Sequence, residues 1–255
     1  MANPLRILFV SDEVEPFSAK SITAKLSRYL PERLQESGDY EVRIMMPRYG
    51  TISERKNRLH EVIRLSGTEI DMVDRTETLK VKVASIPGIR LQVYFMDNSH
   101  YFKRKGIYAN KQGQPFEDNL ERALFFGRSS LETIRNLGWG PDVVHGFGWL
   151  SGFVPMLLRT EYAGDPLFEN VKILYTPGDA DLGATISDAF AAAFHLDADT
   201  PGLQPSQTGV SYADSAIFTA ARQDAGDGFQ FSEDIDVSAD TLRTAYEQVM
   251  SEIAA

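Results

Sequence analysis

Short apolar runs, each too brief for a helix and each trailed by a segment of helical period, constrain this chain more than any other feature. They are RILFVS (6–11), EVRIMMP (41–47), DVVHGFG (142–148), VKILYTP (171–177) and SAIFTA (215–220). Runs of this kind are strands buried on both faces, as in a parallel sheet covered by helices. The helical patterns fall between them. Ile22, Leu26, Tyr29, Leu30 and Leu34 mark a helix over Ile22–Gln35 that Gly38 stops. Leu120, Ala123, Leu124, Leu131 and Ile134 mark a longer one over Asp118–Leu137, begun by Pro115 and the acids Glu117, Asp118 and Glu121, and ended at Gly138. Further helices are expected over Ser151–Tyr162, Asp181–His195 and Ala239–Ala254, the last with Leu242, Tyr246, Val249, Met250 and Ile253 inward.

Strands that alternate with helices imply an α/β fold, a Rossmann-like doubly wound and mainly parallel sheet. One stretch departs from that rhythm. HEVIRLSG (60–67), LKVKVASIP (79–87) and IRLQVYFMD (89–97) read as three strands joined by short turns, a β-meander inserted into the wound unit. LKVKVAS alternates cleanly, as a half-exposed antiparallel strand does. Residues 1–255 read as a single domain, with an acidic linker over 223–238 ahead of the terminal helix 239–254. The passages 197–209 and 223–228, rich in small and polar residues, read as linkers.

Charge is unevenly spread. Residues 1–160 hold 23 Lys+Arg against 19 Asp+Glu, a balance of +4, and residues 161–255 hold 3 against 17, a balance of −14; together they give the net −10. The acidic third is either a solvated, self-repelling surface or a face that docks on a basic partner. Nucleic acid is disfavoured as a partner, because phosphate backbones need a net basic face. No window approaches the roughly 20 apolar residues of a membrane helix, and the apolar start Ile7–Val10 is too short for a secretion signal. With no cysteine, neither a disulfide framework nor a thiolate site exists. A cytoplasmic protein without membrane attachment is expected.

In an open parallel sheet, ligands bind beyond the carboxyl ends of the strands. Three such loops are readable: 12–23, 146–151 and 177–183. The side chains there that carry possible chemistry each have a plainer reading beside it. Lys20 and Lys25 are either an anion contact or solvated lysines at a helix start. His145 is either a ligand or a satisfied histidine of a buried strand, and Trp149 either a binding surface or packing. Asp179 and Asp181 are either ligands for a metal or sugar hydroxyl, or a turn and helix cap. Asp118 and Asn119, with Glu117 and Glu121, are either acid–base carboxylates or a helix start that anchors the loop before it. Lys103, Arg104 and Lys105 form a small basic patch, for a phosphate or for solvent. Nothing matches a nucleophile elbow, a Walker loop, a G-x-G-x-x-G turn or a histidine metal pair. No metal and no cofactor is expected.

FVSDEVEPF (9–17), MPRYGTI (46–52), the YF-to-DN run (94–98), PFEDNLER (115–122) and VVHGFGW (143–149) together resemble the N-terminal domain of glycogen and starch synthases. These are retaining glucosyltransferases of the GT-B type, and the resemblance runs through roughly residues 5–183. It implies the N-terminal half of a GT-B fold and an α-glucan as the bound polymer. It also exposes departures. Where the family carries K-T-G-G-L against the donor phosphates, this chain has Ala19, Ser21, Ile22 and Thr23, with Lys20 one place late. Where the family carries V-H-x-H-D-W-H, His145 and Trp149 remain, but Phe147, Gly148 and Leu150 replace the second histidine, the aspartate and the last histidine. The T-I-H-N strand end is replaced by Thr176, Pro177, Gly178 and Asp179. The family's second, nucleotide-binding domain has no counterpart in the 255 residues. The expectation is a relative that does not transfer glucose alone. No residue is expected to be catalytic; Lys20, Asp118, Asn119, His145, Trp149 and Asp179 are expected to line a remnant pocket. The chain would bind α-glucan or act as a regulatory or structural partner in glycogen metabolism. Alternatively it is a half-molecule completed by a separate donor-binding glycosyltransferase chain.

Overall fold

A computed structural model describes residues 3–18, 21–180, 182–220 and 228–251. In chain order the elements are β1 (Leu5–Ser11), α1 (Ile22–Ser37), β2 (Tyr40–Pro47), α2 (Glu54–Asn57), β3 (His60–Glu61), β4 (Thr68–Met72), β5 (Arg75–Ser85) and β6 (Gln92–Asp97). They continue with α3 (Asn119–Leu137), β7 (Val143–Phe147), α4 (Val154–Arg159), β8 (Lys172–Thr176), α5 (Asp188–Phe194), α6 (Pro205–Tyr212), β9 (Ser215–Phe218), β10 (Phe229–Gln230) and α7 (Ile235–Ser251). The strands form one ten-stranded sheet in the order β10-β9-β8-β7-β1-β2-β6-β5-β3, with β4 paired to β5. From β10 through β6 every pairing is parallel; β5 joins β6, β4 and β3 antiparallel. The mixed α/β sheet and its meander are as the periodicities imply.

Burial accounts for the central strands. Ile7, Leu8, Phe9 and Val10 are all fully buried, because β1 lies mid-sheet with helices on both faces. Phe9 stacks on His145 and Phe147, and His145 reaches Tyr246 of α7. On the opposite face Met96 of β6 meets the Thr133 hydroxyl of α3. The first helix is closed at both ends by its own sequence. Ser21 accepts the Ala24 amide at 2.9 Å, and Gly38 takes the left-handed C-terminal conformation with φ 81°.

The structure changes several boundaries. HEVIRLSG forms only the two-residue β3 and then a 3-10 turn over Ile63–Leu65, since only Leu65 of that turn is buried and Ile63 lies exposed. The longer pairing with β5 comes instead from β4, TEIDM, whose Ile70 and Met72 face inward while Glu69 and Asp71 face out. The helix expected over Ser151–Tyr162 contracts to α4, and that expected from Asp181 begins only after the Ser187 cap; Asp181 itself lies outside the described residues. The linker reading of 197–209 is overturned by α6, which opens with a capping box at Gln204 and Gln207 and buries Pro205, Ser206, Thr208 and Gly209. The terminal helix starts at Ile235, inside the stretch assigned to an acidic linker. There Asp234 accepts the amides of Asp236 and Val237. Residues 221–227 and Ile253 lie outside the described residues.

Candidate functional site at the strand ends

The sheet reverses direction of growth at β1: α1 carries the chain to β2 on one side, and β7 lies on the other. The crevice beyond β1 and β7 is where a wound sheet ordinarily takes a ligand. In this chain it is filled. Asp12, the residue after β1, is fully buried, and its carboxylate is the hub of the filling. Its Oδ2 accepts the Leu150 amide at 2.7 Å and the Tyr108 hydroxyl at 2.7 Å, and its Oδ1 accepts the Ser151 amide at 3.0 Å. The Asp12 carbonyl accepts the Tyr49 hydroxyl at 2.9 Å. One carboxylate thereby joins the end of β1, the loop after β7 and the long loop before α3.

Burial pushes the Asp12 carboxyl up to about 7, with the Tyr108 and backbone hydrogen bonds pulling the other way and the neighbouring Glu13 charge adding to the rise. Desolvation outweighs the three donors, and no cation among the described residues contributes to offset it. Glu13 is likewise buried and raised, its Oε2 accepting the Ser21 hydroxyl at 3.0 Å. Ser21 therefore serves both as the cap of α1 and as a tie to Glu13, in extended backbone (φ −114°) rather than the left-handed turn a glycine would allow. Lys20 lies outside the described residues.

Backbone approach completes the closure. Gly148 sits at φ 91°, and a Cβ there would fall 2.6 Å from the Asp12 carboxyl carbon. Its carbonyl accepts both the Tyr175 hydroxyl at 2.7 Å and the Ser151 hydroxyl at 2.9 Å. At Gly178, beyond β8, a Cβ would come within 3.0 Å of the Gly148 Cα. Phe147, Trp149, Leu150 and Ser151 are all fully buried, and the Trp149 indole N–H has no hydrogen-bond partner among the described residues.

His145 belongs to the core. Its Nδ1 lies 3.0 Å from the Tyr246 hydroxyl and its Nε2 2.9 Å from the Thr176 hydroxyl, with the ring 4.1 Å from that of Phe147. Complete burial holds it well below the usual histidine range, so the ring is neutral and both nitrogens are occupied. Asp118 takes the Arg104 guanidinium on both oxygens, at 2.6 and 2.5 Å. Asn119 is buried, donating to the Tyr108 carbonyl at 2.8 Å and accepting from Arg122 at 2.6 Å. Glu121 instead pairs with Arg75. These acids hold the loop before α3 in place and do not face each other as an acid–base pair. Asp179 is exposed and accepts the Thr219 hydroxyl at 2.9 Å, linking the ends of β8 and β9.

Of the residues read from sequence, Asn119 joins the strand-end cluster through Tyr108, Asp118 holds Arg104 beside it, and Trp149 sits in the loop that Asp12 holds. His145 lies beneath, turned to α7, and Asp179 stands apart. The residues missed are Asp12, Glu13, Tyr49 and Tyr108. Adjacent acids directly after a doubly buried strand were the available signal for the first two. Among the described residues no three potential ligand side chains gather as a metal site, and no helix is long and apolar enough to cross a membrane.

The family profile described as the starch synthase catalytic domain matches residues 6–221. The glycogen synthase of Chlorobium limicola is 44% identical over 172 residues, which is 67% of this chain and 35% of that protein. That of Chlorobaculum tepidum is 37% identical over 227 residues, covering 85% and 46%. The catalytic domain of starch synthase IV from Arabidopsis thaliana, solved with ADP and acarbose bound, superposes with a TM-score of 0.68 at 19% identity, over 84% of this chain and 45% of that one. The chain thus spans between a third and a half of the length of the relatives it matches.

Proposed function

The chain belongs to the starch synthase catalytic-domain family, and from that premise we propose that it is an α-glucan-binding relative that does not transfer glucose by itself. The observation that carries this reading is the filled crevice. A glycosyl transfer needs groups placed to stabilise charge as the sugar leaves its donor, and removing such groups typically lowers rates by orders of magnitude. At the end of β7 the side chains are Phe147, Trp149 and Leu150, all buried, around a glycine whose Cβ position abuts Asp12. His145, the remaining histidine of the segment, is neutral and bonded on both nitrogens. Asp12 and Glu13 are acids of suitable type, but both Asp12 oxygens are occupied by Leu150, Ser151 and Tyr108, and Glu13 Oε2 by Ser21.

The test has two arms. Purified chain is incubated with glycogen and labelled ADP-glucose or UDP-glucose, and separately sedimented with glycogen. The reading expects label incorporation at the level of a buffer control, together with co-sedimentation. Incorporation abolished by changing the strand-end residues would overturn it, and failure to sediment would remove the glucan from it.

A second reading is a glucosyltransferase half, completed by a donor-binding unit on a separate chain. The relatives extend beyond the segment that this chain matches, and such a unit would correspond to that remainder. Turnover that appears only when such a unit is added would select it.

A further inference from the structure

A protein of net charge −10 has acids to spare for its cations, and arginines such as Arg28, Arg48, Arg104 and Arg135 are paired with carboxylates. Other basic residues form no ion pair among the described residues, and four of them gather in one cleft. It has a volume of about 730 Å³ and lies between the α2–β3 segment and the turn from β5 to β6. Lys56, Arg58, His60 and Arg90 line it, over an apolar floor that includes Phe17 and Ile86, and no aspartate or glutamate is among its lining residues. All four basic residues are exposed, and none forms an ion pair with a described carboxylate. Glu61, which follows His60, is exposed and forms no ion pair among the described residues, but it does not line the cleft, and other acids of the neighbouring elements are engaged elsewhere. Glu54 of α2 binds Arg48 and Lys82, while Glu32 and Glu36, which border a neighbouring cleft beside Arg90, bind Arg28 and Arg33.

The backbone adds an independent observation. Arg58 ends α2 in the left-handed region, at φ 54° and ψ 42°. Glycine or asparagine holds that conformation at little cost, whereas a longer side chain is disfavoured there. The same backbone conformation caps α5 at His195; at Arg58 it belongs to a residue that lines the cleft with Lys56, His60 and Arg90. The size suits a small molecule, and the floor gives an uncharged body something to rest on.

We propose that this cleft is a phosphate site, taking a phosphate dianion either free or as the monoester of a small sugar. Arg58 and Arg90 supply the planar donor pairs that match phosphate oxygens, with Lys56 and His60 around them. The site is separate from the filled crevice and does not depend on whether the chain binds glucan.

Titration calorimetry of the whole chain with inorganic phosphate, glucose 6-phosphate and uncharged glucose tests this. Binding of at least one of the two anions is expected at millimolar concentration or below, weakening as salt is raised, with no binding of glucose. Tighter binding of glucose 6-phosphate identifies the ester; equal affinities identify phosphate alone. The double variant Arg58→Asn, Arg90→Gln keeps a residue suited to the left-handed backbone and should weaken binding by roughly tenfold or more, with Arg90→Lys falling between. No heat from either anion at about 10 mM, or an affinity unchanged in the double variant at the same salt, would overturn the proposal.

Discussion

Replacing Asp12 by asparagine should flatten the dependence of stability on pH. The folded carboxyl titrates near 7 against an ordinary 3.8, because it is fully buried. Between those values the folded state holds a proton that the unfolded state has released, so stability falls as pH rises. The Asp12 contribution is complete below about pH 4 and gone above about pH 8; between pH 5 and 8 the native chain should lose about 2–3 kcal/mol on this account. The Asp12→Asn variant cannot titrate there, so its profile should differ from the native one by that amount. His145, lowered by burial, acts with the opposite sign: its contribution is present above the ordinary histidine pKa and is lost as pH falls. Because His145 is present in both proteins, it cancels in the comparison. The asparagine also sets an amide N–H₂ against one of the three donors, at a further cost of about 1–3 kcal/mol that does not depend on pH. Urea unfolding of both proteins at several values from pH 5 to 8 separates the two effects. Parallel profiles would refute the assignment of a buried, raised carboxyl to Asp12.

The other expectations concern the same architecture. Gly148→Asp should destabilise by several kcal/mol or prevent folding, since its Cβ would meet the Asp12 carboxyl and its φ of 91° disfavours a side chain; an unchanged urea midpoint would contradict the packing described. A chain ending after Asp234 should melt at clearly lower temperature, because α7 buries Leu242, Tyr246 and Val249 at about 1.5–3 kcal/mol for each. Tyr246→Phe removes only the hydroxyl facing His145 and should cost about 1 kcal/mol in denaturant unfolding, with a shift of the imidazole nitrogen resonances. If those resonances stay in place, the Tyr246 contact is not formed in solution.

How much of this was legible in the sequence depends on where each segment gets its stability. The parallel strands were readable because β1, β7 and β8 are buried on both faces, so their composition alone announces them. The long helices α1 and α3 carry their own caps and periodicity. The pieces that went astray draw their structure from partners. β4 has two inward residues and is hydrogen-bonded to β5, and α6 is a run of small polar residues whose burial comes from close contact, as where Gly152 lies against the Pro205 carbonyl. Neither periodicity nor propensity reports a neighbour contributed by a distant stretch of chain.

The strand-end cluster shows the same limit for chemistry. From the sequence, the exchange of the motif aspartate for Gly148 reads as a simple loss. In three dimensions the glycine is tied to a second residue. The Asp12 carboxyl stands where a side chain at 148 would project, binds the amides at 150 and 151, and thereby fixes the loop after β7. Restoring the aspartate without removing Asp12 would put two acids into one desolvated space, where like charges cannot both remain ionised. Gly148 and Asp12 are therefore coupled through space across 136 positions of chain. For the same reason the altered motif cannot be read, or repaired, one residue at a time.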